Sequence, residues 1–559
     1  MSYDPKNPLI VQSDRTVLLE TDNDQFEEAR DALSKFAELI KSPEHIHTYR
    51  ITPLSLWNAA ALDYSPDEVK EELTRYSKYE VPDGLLADID DFMQRYGRIK
   101  LVTRDGNLFL VSKDISLLRE VATNEDVEEH VVGPVRDGMV QIEEGQRGFI
   151  KHALIQVGYP VEDLAGYTEG DPLDVELLDE TESTGEKFEL REYQKEAVDA
   201  FWAGGTEQGG SGAVVLPCGA GKTIVALGAM AKAQAHTLVL CTNVTALRQW
   251  REEIIDKTNL DDDIIGEYSG ETKEIKPVTL TTYQILTYRK DTEADFKHFD
   301  IFNEADWGLI IYDEVHLLPA PVFRAVANLQ SRRRLGLTAT LVREDGKEDE
   351  VFSLIGPKKY DVPWRVLEKQ GFIAAAQCCE KRVPFRDDEL RLKYALDDPR
   401  EKYKLAATNP AKLDVIDKLL EEHRGDQILV IGQYLDQLDA ISEMFDAPII
   451  TGRTKQEERD VLYEDFRSGD VPVLVVSKVA NFAVDLPDAN VAVQVSGTFG
   501  SRQEEAQRLG RILRPKEDGN QAHFYSVVTR DSTEQEYSNK RQLFLTEQGY
   551  RYTIETMEE

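Results

Sequence analysis

Residues 212–223, Gly-Ala-Val-Val-Leu-Pro-Cys-Gly-Ala-Gly-Lys-Thr, restrict what this chain can fold into more than any other stretch. The apolar run Ala213–Leu216 reads as a short buried strand. Gly219 and Gly221 permit a tight loop whose backbone N–H groups face inward. Lys222 and Thr223 then open an apolar-rich helix that runs through Ala226 and Met230. Strand, glycine loop and helix N-terminus in that order form a phosphate cradle. In such a loop (Gly219, Ala220, Gly221) the backbone amides surround phosphates, the Lys reaches the β- and γ-phosphates, and the Thr hydroxyl ligates Mg²⁺. ATP and Mg²⁺ are therefore the expected cofactors. The strict form of the motif carries Gly at the position held here by Leu216.

A second half of the same chemistry follows about 90 residues later. Leu309-Ile310-Ile311-Tyr312 reads as another buried strand, and it ends in Asp313-Glu314-Val315-His316. A carboxylate at the C-terminal end of a strand can hold Mg²⁺, a role expected of Asp313 together with Thr223. Glu314 beside it is placed to orient and deprotonate an attacking water. Upstream, Leu190-Arg191-Glu192-Tyr193-Gln194 opens a helix. Tyr193 and Gln194 are placed to read adenine, because an amide can bond both N6 and N7, and Arg191 joins Gln194 as a candidate cofactor-binding residue.

Length and charge bound the partners. The 559 residues suggest three or four domains with ample core. Acidic residues exceed basic ones by 104 − 66, a net charge of −38, spread along the chain, while 41% of residues are hydrophobic. Disorder is not implied. The charge reads as a halophilic surface that stays hydrated in concentrated salt; an acidic protein of a moderate-salt cell is the alternative. Such a chain repels nucleic acid overall, so DNA binding needs a local basic groove. The four cysteines, Cys218, Cys241, Cys378 and Cys379, form no Cys-x-x-Cys pattern, which argues against zinc and iron–sulfur sites. The start has no signal-peptide core, and no apolar run approaches the roughly 18 residues of a membrane span. A cytoplasmic protein with no membrane partner is expected.

Residues 1–122 read as one α/β unit, with a strand at Val17–Leu19 and a helix from Asp24 to Lys41. A second helix begins at Pro53, and a hairpin joins Ile99–Thr103 to Leu108–Val111. His45 and His47 lack further ligands nearby and read as surface or structural histidines rather than metal ligands. A smaller acidic segment, 123–187, holds a helix from Arg147 to Val157 and then an exposed linker to Glu186. From Phe188 strand and helix alternate. The run Thr237–Asn243 carries Thr242 at its end, and Val278–Tyr283 carries Thr282; such hydroxyls suit a nucleic-acid backbone or simple capping of core strands. Leu335–Thr340 brings Thr338 and Thr340, which could couple the ATP site to nucleic acid. The charged triplet Arg343-Glu344-Asp345 follows. The basic run Arg332–Arg334 reads as solvated surface.

Residues 385–408 are charged and interrupt the alternation. A second α/β set follows, with strands at Gln427–Ile431, Val471–Val476 and Val491–Val495. In Gln507-Arg-Leu-Gly-Arg-Ile-Leu-Arg514, helical spacing puts Gln507, Arg511 and Arg514 on one face. Guanidinium groups delivered from a second domain stabilise transition-state charge on a γ-phosphate.

The succession Leu-Arg-x-Tyr-Gln, Gly-Ala-Gly-Lys-Thr, Asp-Glu-Val-His, Leu-Thr-Ala-Thr and Gln-Arg-Leu-Gly-Arg-x-Leu-Arg resembles superfamily 2 helicases. Leu-Thr-Ala-Thr-Leu-Val-Arg-Glu-Asp at 337–345 is similar to the XPB-type DNA repair helicases, as are Leu216–Lys222 and the segment from Val475-Val476-Ser477-Lys478 to Asp485-Leu486-Pro487. The likeness is strong over 188–530 and weaker at 8–20. It implies an α/β fold with two tandem RecA-like parallel-sheet domains, 188–362 and 363–559, behind N-terminal α/β accessory domains. It also implies a thumb-like insertion near 385–408 and a damage-recognition-like domain in 123–187. By the same resemblance the chain is a DNA-dependent ATPase and 3′→5′ helicase in nucleotide excision repair. Its DNA would be single-stranded or a forked duplex, with a nuclease as partner. Arg343, Glu344, Asp345, Ser477 and Lys478 would then join Thr242, Thr282, Thr338 and Thr340 in DNA binding or coupling. A duplex translocase that strains DNA without processive unwinding, or an ATPase switch in a repair or transcription assembly, is the alternative. Ala480-Asn481-Phe482-Ala483-Val484 departs from the Gly-Asp-Thr-Ser-Phe of the family. The acidic composition suggests a haloarchaeal member.

Overall fold

Alternating strand and helix after residue 188 fold into two parallel sheets. The computed structural model describes residues 3–42, 45–143, 145–217, 219–288, 298–302, 304–318, 322, 332–339, 348–362, 367, 376–477, 489–497, 522–547 and 551–557. Two smaller sheets come first in the chain. Strands β1 (Leu9–Val11), β2 (Thr16–Glu20), β3 (Glu38–Lys41) and β4 (Ile46–Arg50) form an antiparallel sheet in the order β1-β2-β4-β3. Strands β5 (Lys100–Arg104), β6 (Asn107–Val111), β7 (Val131–Arg136), β8 (Met139–Ile142) and β9 (Glu162–Leu164) form a second sheet, β7-β8-β6-β5-β9.

Three sequence expectations change here. The helix expected over 24–41 is confined to Phe26–Leu33, and Glu38–Lys41 is the edge strand β3. Phe36 and Ile40 have helical spacing, but only Phe36 joins Leu39 in the core, while Ile40 is exposed. The hairpin forms as read, yet β6 pairs with β8 and β5 with β9. Its sheet therefore continues past residue 122 rather than closing the 1–122 unit. The stretch after Val157 is not simply an exposed linker. Val175 is buried in the core of the following sheet, and single bridges tie Pro172 to Ala235 and Leu177 to Thr258.

The third sheet takes β10 (Ser211–Val215), β11 (Thr237–Cys241), β12 (Ile265–Tyr268), β13 (Val278–Thr282), β14 (Leu309–Asp313), β15 (Arg333–Thr338) and β16 (Lys358–Asp361). Their order is β12-β13-β11-β14-β15-β10-β16, with every pairing parallel. The fourth takes β17 (Ala376–Val383), β18 (Ile428–Gly432), β19 (Ile449–Ile450), β20 (Val473–Ser477), β21 (Val491–Gln494), β22 (Ala522–Thr529) and β23 (Arg551–Thr556). It is again all parallel, in the order β19-β20-β18-β21-β22-β17-β23. Central strands such as Leu238–Leu240 and Leu429–Ile431 are apolar at every position and buried on both faces. That is the pattern of sheets covered by helices on both sides. The α/β architecture with two tandem RecA-like sheets behind N-terminal α/β units is thus the observed fold.

Buried polar contacts seat the N-terminal units on the third sheet. Trp57, Ile155 and Phe352 pack together, and Asn58 Oδ1 accepts from the Lys358 amide at 3.0 Å. Asp163 accepts from Arg147 at 2.8 Å and from Lys151 at 3.0 Å. Arg334, the second residue of β15, is fully buried beside them and donates to Ser211 Oγ at 2.8 Å and to the Leu354 carbonyl at 2.8 Å. Arg332, read as solvated, instead bonds Asp306 and the Trp307 carbonyl. Among the described residues no helix is long and apolar enough to cross a membrane.

Candidate active site

The loop after β10 is built for close approach. Gly219 and Gly221 adopt left-handed backbone, with φ of 79° and 77°. A Cβ on Gly221 would sit 2.6 Å from Gln194 Nε2, so neither conformation nor space admits a side chain there. The helix Lys222–Ala233 starts at once, with Lys222 and Thr223 as its first residues. Leu216, where the strict motif has Gly, is fully buried and belongs to the sheet's core, and its amide bonds the Thr338 carbonyl at 3.0 Å.

A second layer grips the loop from the helix Glu192–Trp202. Tyr193 OH donates to the Ala220 carbonyl at 2.7 Å, and Gln194 Nε2 donates to the same carbonyl at 3.1 Å. Gln194 Oε1 meanwhile accepts from the Arg191 amide at 2.9 Å. The amide expected to read adenine is therefore engaged at both ends by protein, and it shapes the phosphate loop. Arg191 is exposed at the start of that helix, with one guanidinium nitrogen 3.3 Å from Tyr193 OH.

Parallel pairing brings the C-terminal ends of β10, β14 and β15 to one edge, and Asp313 and Glu314 arrive there. Glu314 takes left-handed backbone, φ 48°, as the chain turns out of β14. Its Oε1 lies 2.8 Å from Lys222 Nζ, and its Oε2 lies 3.5 Å from His316 Nδ1. Burial opposes the charge on Glu314, but Lys222 first, then His316, and the backbone amide of Ala339 outweigh it and lower its pKa. Asp313 moves the other way. Burial and the adjoining Glu314 charge raise its pKa, against Lys222 and the indole of Trp250. Trp250 Nε1 donates to Asp313 Oδ2 at 3.1 Å, and Tyr283 OH donates to the Asp313 carbonyl at 2.8 Å. His316 Nδ1 is also 2.6 Å from Thr338 Oγ1, which links the end of β15 to Glu314.

The residues present fit a nucleotide with a divalent metal: a glycine cradle that a Cβ would fill, a lysine within it, and a buried carboxylate pair at its edge. Sequence reading located Lys222, Thr223, Asp313 and Glu314, but gave no role to His316, Trp250 or Tyr283. The histidine was legible two residues after Glu314; the other two become visible only with the strand order.

The remaining candidates divide. Thr282 Oγ1 accepts from the Ile285 amide at 3.4 Å and caps a short helix, and Thr242 Oγ1 accepts from Asn243 Nδ2 at 3.3 Å. Ser477 is buried at the end of β20. Thr340, Arg343, Glu344, Asp345, Lys478, Gln507, Arg511 and Arg514 lie outside the described residues.

Residues 367–559 match the family described as ERCC3/RAD25/XPB C-terminal helicase. Residues 187–343 match the family described as type III restriction enzyme, res subunit, and residues 9–133 one described as helicase conserved C-terminal domain. The chain is 55% identical to the DNA 3′-5′ helicase XPB of Mycobacterium tuberculosis, over 98% of this chain and 97% of that protein. It is 52% identical to the DNA 3′-5′ helicase XPB of Kineococcus radiotolerans, over 98% and 96%. The chain belongs to the XPB-type DNA helicase family. The Rad25 relative of Halobacterium salinarum is 37% identical, over 91% of this chain and 80% of that protein. Bacterial XPB proteins are thus far more similar than this haloarchaeal one, and the expectation of a haloarchaeal, halophilic member is not borne out. An acidic surface reflects solvation and mutual repulsion of carboxylates, which do not encode lineage.

Proposed function

We propose that this XPB-family enzyme couples ATP hydrolysis to 3′→5′ movement on DNA, opens forked duplex with a single-stranded tail, and acts in nucleotide excision repair beside a nuclease in the cytoplasm. The observation that carries the reading is the buried Lys222–Glu314 pair at the mouth of the glycine loop. It joins the phosphate-binding cation to the water-activating carboxylate.

In this reading the glycine loop and the first amides of the helix Lys222–Ala233 hold the phosphates of ATP. Thr223 and Asp313 would hold Mg²⁺, which when bound supplies neutralising charge at the phosphate oxygens. Lys222 exchanges Glu314 for the β- and γ-phosphates. Glu314, kept ionised by its neighbours, then accepts the proton of the attacking water. Thr338 and His316 pass the position of Glu314 to β15. Residues 188–362 and 363–559 act as the two halves of the ATP cleft, and Gln507, Arg511 and Arg514 complete it from the second half. Thr242, Thr282, Thr340, Arg343, Glu344, Asp345, Ser477 and Lys478 face or couple to DNA.

Strand displacement on forks with a single 3′ or 5′ tail, run beside triplex displacement on blunt duplex, tests the proposal. ATP-dependent opening from the 3′ tail is expected. Opening from the 5′ tail alone would overturn the polarity. Triplex displacement without fork opening would replace the helicase by a duplex translocase.

A further inference from the structure

The two loops proposed to meet DNA on the third sheet each lead into a helix whose side chain returns to the same acidic residue. Thr242 and Asn243 follow β11. Asn243 caps the helix Val244–Lys257, its Oδ1 accepting from the Ala246 amide at 2.9 Å and its Nδ2 donating to Thr242 Oγ1. Further along that helix, Trp250 is 3% exposed and donates its indole N–H to Asp313 Oδ2. Thr282 ends β13 and caps the helix Tyr283–Leu286. Tyr283, the first residue of that helix, is 4% exposed and donates its hydroxyl to the Asp313 backbone carbonyl.

Strand order makes the convergence work. In β13-β11-β14 the two loops and Asp313 sit at adjacent strand ends, with Cys241 paired to Thr282 and Leu240 to Tyr312. We propose that Trp250 and Tyr283 are positioning residues that tie the Thr242 and Thr282 loops to Asp313, so that strain on either loop from bound DNA alters how Asp313 holds its metal. The inference rests on the ATPase and DNA-contact reading above.

The chemistry of the donors suits this role. Both are neutral. An indole N–H fixes the orientation of a carboxylate oxygen without cancelling the charge that a divalent cation requires, which a lysine or arginine in its place would do. Each donor is also single. Movement of Trp250 or Tyr283 with its helix cannot be compensated by a second bond from the same group. Trp307 provides the comparison: it is equally buried in the same sheet's core, and its Nε1 donates at 2.9 Å to the Ile301 carbonyl, away from Asp313.

The test compares full-length Trp250→Phe, Tyr283→Phe and Trp307→Phe. ATP hydrolysis is titrated with MgCl₂, with and without a tailed DNA fork, and thermal unfolding is recorded for each. Trp250→Phe is expected to raise the Mg²⁺ concentration for half-maximal turnover about tenfold, the usual effect of losing a partner of a metal ligand. Trp250→Phe and Tyr283→Phe are both expected to reduce the ratio of DNA-stimulated to DNA-free turnover. Trp307→Phe should lower the melting temperature by a similar amount while keeping the wild-type ratio and Mg²⁺ requirement. Wild-type values of both quantities in Trp250→Phe and Tyr283→Phe, or equal changes in Trp307→Phe, would overturn the inference. A wild-type enzyme that DNA does not stimulate would overturn the underlying reading instead, before any variant is compared.

Discussion

Lys222 Nζ and Glu314 Oε1 lie 2.8 Å apart, with both side chains about nine-tenths buried. A buried cation and anion in contact stabilise each other's charge, and removing one strands the other. In the function proposed above, the stranded group would be the residue that activates water, and the pair would hold both groups in check until phosphate oxygens compete for the lysine.

Glu314→Gln keeps the shape of the side chain and removes the base. Turnover should fall about 10²–10⁴-fold, the usual worth of a general base. Lys222→Ala should also abolish most hydrolysis, and the double variant should be no worse than the poorer single one, because the two act as a unit. Steady-state phosphate release measures all three.

Gly221→Ala asks for a left-handed backbone from a residue with a Cβ and presses that Cβ on Gln194. The conformational term alone costs about 1–2 kcal/mol. The phosphate loop should deform before the sheet does. ATP binding, followed by a fluorescent nucleotide, should weaken much more than thermal stability falls.

The Asp163 network predicts a stability effect away from the ATP site. Lys151 and Arg147 hold the Asp163 carboxyl well below the usual carboxylate range against the opposing effect of burial, while burial pushes Lys151 down to about 8. Asp163→Asn leaves two buried cations without their anion, and should cost about 3–5 kcal/mol. The first transition in a urea titration should move to lower denaturant.

His47 predicts a pH effect in the N-terminal sheet. Burial first, then Arg30, lowers its pKa to about 4 from 6.5. Between those values the unfolded chain binds a proton that the folded chain refuses, so stability rises with pH. On going from pH 7 to pH 5 the protein should lose about 2 kcal/mol through this residue. Thermal melts at the two values, repeated on His47→Gln, check it; the variant should show a smaller difference.

How much of this was readable before the structure depends on sequence separation. The glycine loop and the Asp-Glu pair announce themselves because their chemistry needs contiguous residues after a strand. Trp250 and Tyr283 lie 63 and 30 residues from Asp313. Their convergence is set by the order β13-β11-β14, which no local pattern encodes. Gln194 was recognisable as a site residue, but its hold on the Ala220 carbonyl depends on how one helix packs against the loop. At residues 24–41, Phe36 and Ile40 satisfy helical spacing and Glu38–Lys41 satisfies strand pairing, and tertiary contact with β4 decides for the strand.

The most direct measurement is ATP hydrolysis by the wild-type chain and Glu314→Gln, with and without a fork carrying a 3′ single-stranded tail. Strong stimulation of the wild type by the fork, and loss of turnover in the variant, are the expected results. Hydrolysis that is indifferent to DNA, or that survives in Glu314→Gln, would contradict a DNA-driven motor powered at this site.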